Sequence, residues 1–156
     1  MKNKKNRKGV INHAPRCPYC GSTTVYRSAT GIYINNPDDV MLYVCKNYPA
    51  CDAYVQTQKG TAIPLGTMAN RELRALRAEA HRKFNKLYLK NYMSKAEAYA
   101  WLSSILGVPK TRAHIGLLGV LGCNLVIKEA EKQLTWYQEH REITKTNAQK
   151  GEVRAS

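Results

Sequence analysis

The sequence predicts an α+β protein, in which a small antiparallel sheet precedes a bundle of three or four helices. Two cysteine pairs, Cys17 with Cys20 and Cys45 with Cys51, bracket a stretch rich in β-branched residues and tyrosine, which are typical of strands. From residue 67 onward the apolar residues recur instead at the spacing of a helix. The 156 residues have room for one modest domain or two small modules.

The basic residues indicate how the chain is organised. The formal net charge is +14. Residues 1–16 hold six basic groups and no acid, and residues 66–93 hold seven basic groups and two acids. Blocks of like charge are typical of segments that contact anions. We predict four segments: a flexible basic arm over 1–14, a cysteine-rich domain over 15–60, a helical domain over 66–142 and a flexible tail over 143–156.

Composition excludes membrane and secreted proteins. The longest apolar run, 115–127, contains three glycines and is 13 residues long, whereas a transmembrane helix needs about 20 apolar residues. The N-terminus is basic but lacks the apolar segment of a secretory signal, so we expect a cytoplasmic protein without a membrane partner. Five cysteines in such a chain favour metal binding over a disulfide framework.

The spacing of four cysteines predicts one structural Zn²⁺ ion. Cys17 and Cys20 form a Cys-x2-Cys turn followed by Gly21, and Cys45 and Cys51 form a Cys-x5-Cys turn. Each short loop aims two thiolates at one point, and glycine permits the sharp turn. Four thiolates complete a tetrahedron that leaves no open position for catalysis. Strands are expected over 23–26, 31–34 and 40–44, with a turn over 35–39.

The two cysteine turns resemble the C-terminal zinc ribbons of bacterial type IA DNA topoisomerases. The turns contain Cys-Pro-Tyr-Cys-Gly at 17–21 and Cys-Lys-Asn-Tyr-Pro-Ala-Cys at 45–51. The resemblance covers about residues 15–58 and implies that this segment binds single-stranded DNA. The sequence departs from the family pattern by a longer segment between the cysteine pairs, which contains Asp38 and Asp39. Nothing in the chain resembles the catalytic core of those enzymes.

The tyrosines of this ribbon give a separate argument for a single strand. Six of the ten tyrosines lie in the ribbon. Bases stack on aromatic rings at about 1–3 kcal/mol each, with little preference for sequence. The alternative is that tyrosine is simply a good strand residue in a half-buried sheet. The predicted nucleic-acid contacts in the ribbon are Tyr26, Tyr33, Tyr43, Tyr48 and Lys46.

A cationic helix is predicted over about 68–90. Its apolar stripe consists of Leu73, Leu76, Ala80, Phe84 and Leu87. Basic side chains surround the stripe, with Lys83, Lys86 and Lys90 along one flank. Such a surface suits phosphates, although a solvated helix face is the ordinary alternative. The predicted phosphate contacts are Arg71, Arg74, Arg77, Arg82 and Lys86.

Two further helices and a compact glycine-rich segment follow. Ser94 and Glu97 form the signature of a capping box, which opens a helix that ends at Gly107. Residues 111–123 carry glycine at 116, 119 and 122, a spacing that predicts a short helix or turn that packs closely. Asn124 is a candidate cap for the last helix, and no apolar period continues beyond about residue 144.

The order of features in the helical half is similar to that in a family of short phage and prophage proteins characterised by a zinc finger. Those features are the segment 71–81, Glu-Ala-Tyr-Ala-Trp-Leu at 97–102, Ala-His-Ile-Gly at 113–116, and Cys123. The resemblance spans about residues 15–130. It implies a mobile element and a cytosolic setting, and it leaves the biochemistry open.

These observations favour a protein that binds nucleic acid, preferably single-stranded DNA, and that is not an enzyme. The sequence lacks a nucleophile elbow and a His-Glu-x-x-His motif. His81, His114 and Cys123 lack tight ligand spacing, which favours core or surface roles over a second metal site or a Cys–His pair. The alternative is an adaptor of a mobile element, which binds a host or phage protein through 115–127 while zinc only holds the fold.

Overall fold

The chain forms two compact units in a computed structural model that describes the backbone of residues 14–155 and the side chains of residues 14–141. The ribbon unit comprises the described residues up to Ala75 together with Gly116–Leu118. The helical unit comprises Leu76–Ile115 and the residues from Gly119 onward. Apart from residue 14, the predicted basic arm lies outside the described residues. In the part that is described, no helix is long and apolar enough to cross a membrane.

The ribbon unit contains a three-stranded antiparallel sheet in the order β1-β2-β3. The strands are β1 (Thr24–Ser28), β2 (Met41–Cys45) and β3 (Tyr54–Gln56). The register pairs Tyr26 with Tyr43, and Tyr43 with Val55. The α+β class, with a small sheet at the N-terminal end, is therefore confirmed.

The strand predicted over 31–34 is wrong. This segment forms a tight turn after β1, in which the backbone N–H groups of Ile32 and Tyr33 both donate to the Ala29 carbonyl oxygen. Ile32 and Tyr33 then pack against the buried Leu42 and Val44 of β2. The third strand is β3 instead, whose three residues are too few for a recognisable alternation of apolar and polar positions.

Both faces of the sheet are covered within the ribbon unit. One face packs Tyr43 and Val55 against Cys17 and Met68, and the other buries Leu42 with its neighbours. Gly66 and Gly116 meet in this unit, because a Cβ atom at Gly66 would lie 2.1 Å from the Gly116 carbonyl oxygen. The predicted close packing at Gly116 is therefore confirmed.

Three helices follow the sheet. They are α1 (Arg71–Leu89), α2 (Lys95–Leu106) and α3 (Val120–Ala155), with short 3-10 helices at Lys110–Arg112 and Ile115–Leu117. The predicted capping box is present, since Ser94 accepts from the Glu97 N–H and Glu97 reaches back to the Ser94 N–H. Gly107 ends α2 in the left-handed conformation, as the sequence predicts.

The helical unit is built around Phe84. This buried ring of α1 lies 5.1 Å from the Tyr99 ring and 6.4 Å from the Trp101 ring, both on α2. Four residues of the predicted apolar stripe of α1 are buried and Leu76 is partly buried, so the stripe forms the inner face of the helix.

The last helix differs from the prediction at both ends. It begins at Val120, so Asn124 lies inside the helix and does not cap it. Leu118 and Gly119 precede it without a polar cap residue, which removes the usual signal for a helix start. The helix also continues to Ala155, through most of the predicted tail. The domain limits themselves stay predictions, because compact units need not fold separately.

Candidate metal centre and basic surfaces

Four cysteine sulfurs lie together at one end of the ribbon unit. The Sγ atoms of Cys17, Cys20, Cys45 and Cys51 all lie within 4.8 Å of one another. The Cys20 and Cys45 sulfurs are 3.4 Å apart, and the Cys17 and Cys51 sulfurs are 3.6 Å apart. A tetrahedron with zinc–sulfur bonds of about 2.3 Å spaces its sulfurs about 3.8 Å apart. The arrangement therefore fits one tetrahedral metal ion.

Local backbone hydrogen bonds build the two cysteine turns. In the first turn the Gly21 N–H donates to the Cys17 carbonyl oxygen at 2.9 Å, with φ of +72° at Gly21. In the second, the Tyr48 N–H donates to the Cys45 carbonyl oxygen at 2.9 Å. A residue with a Cβ atom rarely adopts the conformation of Gly21, which explains the glycine after Cys20.

Asn47 joins the two turns. Its side-chain amide donates to the Ser22 hydroxyl oxygen at 2.8 Å and to Cys20 Sγ at 3.6 Å. Such an outer-sphere contact orients a metal ligand and stabilises its negative charge. The sequence shows Asn47 only as part of a motif, and the role of its side chain becomes visible in the structure.

The environments of the two facing thiols differ. The pKa of the exposed Cys20 thiol is lowered to about 6. The main cause is a hydrogen bond with the Ser22 side chain, and the next is a hydrogen bond with the Ser22 backbone. Burial raises the pKa of Cys45 to about 12. Zinc binds thiolates, so its binding must release protons from this site.

The donor set identifies the metal. Four sulfur ligands in tetrahedral reach favour zinc, and they fill its coordination sphere. Across the described residues, this is the one group of three or more cysteine, histidine or acidic side chains placed to hold a metal ion. The predicted structural Zn²⁺ is therefore confirmed.

The comparison with known families agrees with this chemistry. The family described as the zinc-finger-containing domain matches residues 13–133. The chain belongs to that family. The family match and the four-cysteine cluster together show that this zinc-finger-containing domain protein binds zinc. No curated protein and no solved structure is significantly similar to it.

The tyrosines predicted to contact nucleic acid are only partly exposed at the surface. Tyr26 is 39% exposed, whereas Tyr43 is 1% exposed and donates its hydroxyl to the Ala62 carbonyl oxygen at 2.8 Å. Tyr33 and Tyr48 are half-buried against the sheet. Tyr43 is therefore corrected to a core residue, since a base cannot reach its ring. Lys46 is exposed beside Cys45.

Arg74 stays a prediction as a phosphate contact, but its charge is already engaged within the ribbon unit. It pairs with Asp52 at 3.3 Å and donates to the carbonyl oxygens of Asp52 and Ala69, each at 2.7 Å. Its guanidinium lies 3.9 Å from the centre of the Tyr54 ring. Arg74 thus fastens the start of α1 beside the second cysteine turn, and a phosphate would have to displace all of these partners.

The other predicted basic residues differ in their accessibility. Arg71 and Lys86 are exposed, and neither forms an ion pair among the described side chains. Arg82 is exposed but pairs with Glu79. Arg77 is half-buried in the helical unit, close enough to Cys123 to oppose the rise in that thiol's pKa that burial causes. Arg71 and Lys86 thus remain the most available of the five.

The helical unit has a cationic cleft of about 410 Å³ between α1 and α3, hereafter the lysine cleft. Lys83, Lys86 and Lys90 line one side, together with Tyr92, which lies three residues beyond the end of α1. Glu131, Leu134, Thr135 and Gln138 of α3 complete the lining. The sequence pattern predicted that the three lysines lie on one flank of α1. The residues that complete the cleft lie on α3, which is far from α1 in sequence.

Proposed function

We propose that this zinc-binding protein binds nucleic acid and favours single-stranded DNA, with the zinc in a structural role. The lysine cleft is the observation that supports this proposal most. Lys86 and Lys90 line it without an ion pair among the described side chains, while Lys83 pairs with Glu131 at 3.2 Å. Unpaired lysines in a cleft attract phosphates, and contact with phosphates supplies most of the affinity in non-specific binding.

The walls of the lysine cleft support a lasting arrangement of this charge. The Tyr92 ring stacks in parallel on Tyr137, with 5.0 Å between ring centres. Arg141 lies over Tyr92 at 4.4 Å and donates to the Lys90 carbonyl oxygen at 2.8 Å. These contacts hold the end of α1 against α3, so the lysines face a preformed groove that would suit a phosphate chain.

Exposed aromatic rings support the preference for single strands. Tyr19 and Tyr26 of the ribbon unit are 46% and 39% exposed, and Trp136 of the helical unit is 50% exposed. Unpaired bases can stack on such rings, whereas the bases of a duplex are already stacked on each other. The resemblance of the ribbon to topoisomerase zinc ribbons points in the same direction.

Reversal of charge in the lysine cleft tests this proposal. The double variant Lys86→Glu/Lys90→Glu is compared with Lys110→Glu/Lys128→Glu, which makes the same charge change at exposed sites outside the cleft lining. We expect the cleft variant to weaken binding to a labelled single strand at least tenfold more than the control, with a smaller dependence on salt. Equal losses in both variants would exclude the cleft as the phosphate site.

The setting follows from the resemblances rather than from the site. We propose a phage or prophage origin and a cytoplasmic location, in line with the similarity of the helical half to mobile-element proteins. A binding role rather than an enzymatic one is supported by the four-thiolate donor set, which leaves zinc no position for a substrate. Cleavage of DNA by the pure protein with magnesium would contradict that role.

The adaptor function has an observation of its own. Near the start of α3, Leu121 is 86% exposed, and Val120 and Leu125 are 42% and 38% exposed. These residues belong to the apolar run that the sequence analysis singled out, and clustered exposed apolar residues are typical of protein-binding surfaces. Capture of a protein from nuclease-treated host lysate, lost in Leu121→Glu/Leu125→Glu, would favour the adaptor, and unchanged capture would exclude this surface.

A further inference from the structure

The ribbon unit contains a cavity of about 480 Å³ beside the sheet, hereafter the ribbon pocket. The ring of Tyr26 on β1 forms part of its wall, the segment with Asp38 and Asp39 forms a second part, and the loop 57–61 forms a third. This volume lies in the range of about 300–1,000 Å³ that is typical of small-molecule sites. The acidic segment is the one by which this sequence departs from the topoisomerase ribbons, so the departure supplies a wall of the pocket.

Hydrogen bonds fix the acidic wall. Asp39 has φ of +48° and accepts from the Ser28 hydroxyl at 2.7 Å. Asn36 accepts from the Val40 N–H at 2.7 Å, and its amide donates to the Val40 carbonyl oxygen at 3.3 Å. The segment is thus held against β1 by bonds that leave Asp38 out. Among the described residues, the Asp38 carboxylate forms neither a hydrogen bond nor an ion pair.

The opposite wall is fixed as well. The Gln58 N–H donates to the Ile63 carbonyl oxygen at 2.8 Å, and the Thr61 N–H donates to the Gln58 carbonyl oxygen at 3.0 Å. The Tyr26 hydroxyl donates to the Thr61 carbonyl oxygen at 3.4 Å, while its ring lies 5.1 Å from the Tyr43 ring. Gln56 and Gln58 also line the pocket, and both residues are exposed.

The chemistry of the lining selects among ligands. An aromatic ring offers a stacking surface for a planar ring, carboxylates accept hydrogen bonds from amino groups, and glutamine amides both donate and accept. Two carboxylates would repel a phosphate in the pocket itself, whereas Lys59, which also lines the pocket, could contact a neighbouring one. These features together fit a nucleobase with an exocyclic amino group, and they disfavour thymine or uracil, which present a carbonyl oxygen at that position.

We propose that the ribbon pocket holds one unpaired base that bears an exocyclic amino group, with the base against Tyr26 and its amino group donating to Asp38. This proposal rests on the proposed function and extends it, because the lysine cleft supplies affinity without sequence preference. The ribbon pocket would make the protein read one base within an otherwise non-specific contact.

Single-base substitution in a thymine strand tests the pocket. The probes are labelled oligo(dT) and the same strand with one central dC, dA or dG. Wild-type protein should bind the strands with an amino-bearing base about tenfold more tightly than oligo(dT). Asp38→Asn should remove this preference, because it replaces the acceptor-only carboxylate that would bind the amino group. Among the described residues the Asp38 carboxylate has no hydrogen bond or ion pair, so the change removes no contact that supports the fold. Glu72→Gln makes the same charge change at an exposed position of the ribbon unit outside the pocket lining and should retain the preference.

A second pair of variants examines the ring. Tyr26→Leu should weaken binding of the amino-bearing strands, whereas Tyr26→Phe, which keeps the ring, should bind as the wild type does. Zinc content and circular dichroism establish that each variant folds.

The outcomes separate the two proposals. If all four strands bind wild-type protein equally, or if Asp38→Asn retains the preference, the pocket assignment is wrong while the nucleic-acid function stands. If no strand binds even at low salt, the proposed function fails and the base-binding role of the pocket fails with it.

Discussion

The ribbon unit and the helical unit are stabilised in different ways. The basic residues of the segment 66–93 also have different roles in the two units. In the ribbon unit, short strands and four thiols surround a metal site, and Arg74 is bound by Asp52 and Tyr54. In the helical unit, an aromatic core around Phe84 holds the helices, and Lys86 faces an open cleft.

The contrast shows that charge in a sequence does not by itself indicate a binding surface. Arg74 and Lys86 lie twelve positions apart in one basic segment and on one helix. Arg74 meets an acid, two carbonyl oxygens and an aromatic ring, whereas Lys86 meets solvent. The partners within reach decide whether a basic residue supports the fold or remains available to an anion.

The largest difference between the units should appear when the zinc is removed. Chelation by EDTA, or Cys45→Ser, should abolish amide protection in β1 to β3, because structural zinc supplies about 10–16 kcal/mol of apparent folding free energy in zinc-finger peptides. Amides around Phe84 should keep their protection, since the four cysteine ligands all lie in the ribbon unit. Hydrogen exchange with mass spectrometry measures both. Strands that stay protected without zinc would show that the ribbon core is sufficient alone.

A substitution in the core of the helical unit should destabilise that unit and leave zinc binding unchanged. Phe84→Ala removes a fully buried ring and should lower the free energy of unfolding of the helical unit by about 4 kcal/mol. Chemical denaturation followed by circular dichroism gives this value, and the zinc stoichiometry should stay at one per chain. Loss of zinc from Phe84→Ala would contradict the distinction between the two sources of stability.

A backbone contact offers a sharper test within the ribbon unit. Gly66→Ala should lower the free energy of unfolding by about 2 kcal/mol, because its methyl group would overlap the Gly116 carbonyl oxygen. Gly119→Ala is the matched control, since a Cβ atom there meets nothing within 4 Å. It should change stability by less than about 0.5 kcal/mol. Equal effects at the two glycines would show that the close approach relaxes at little cost.

The last comparison separates structural from available arginines. Arg74→Ala should lower the free energy of unfolding by about 2 kcal/mol, because it leaves the half-buried Asp52 without its charged partner. Arg71→Ala should change stability by less than about 0.5 kcal/mol, since the exposed Arg71 side chain has no such partner among the described residues. Thermal denaturation of the two variants checks the difference, and a stable Arg74→Ala protein would return this residue to the candidate interface.

Local patterns predicted much of this fold. The cysteine spacing, the capping box at Ser94 and Glu97, and the apolar stripe of α1 each depend on residues close in sequence, and each is present in the structure. The failures occurred where distant residues decide the outcome. The segment 31–34 has strand-like composition but is held as a turn against β2, and β3 is too short to carry a periodic signal.

The candidate sites divide in the same way. All four cysteines come together as their spacing predicts, while the fate of Tyr43 and Arg74 depends on the loop carbonyl of Ala62 and on Asp52. No periodic pattern in the sequence relates Tyr43 to Ala62 or Arg74 to Asp52. The ribbon pocket likewise needs three separate segments, which no local pattern in the sequence brings together.

The most direct measurement is fluorescence anisotropy of the zinc-loaded full chain with labelled single- and double-stranded oligonucleotides at two salt concentrations. The proposed function predicts tighter binding to the single strand, which persists in part at high salt because stacking on exposed rings is less sensitive to salt than phosphate contact. Equal binding to both substrates that falls steeply with salt would reduce the role to a cationic surface. No binding at low salt would contradict the nucleic-acid function and favour the adaptor.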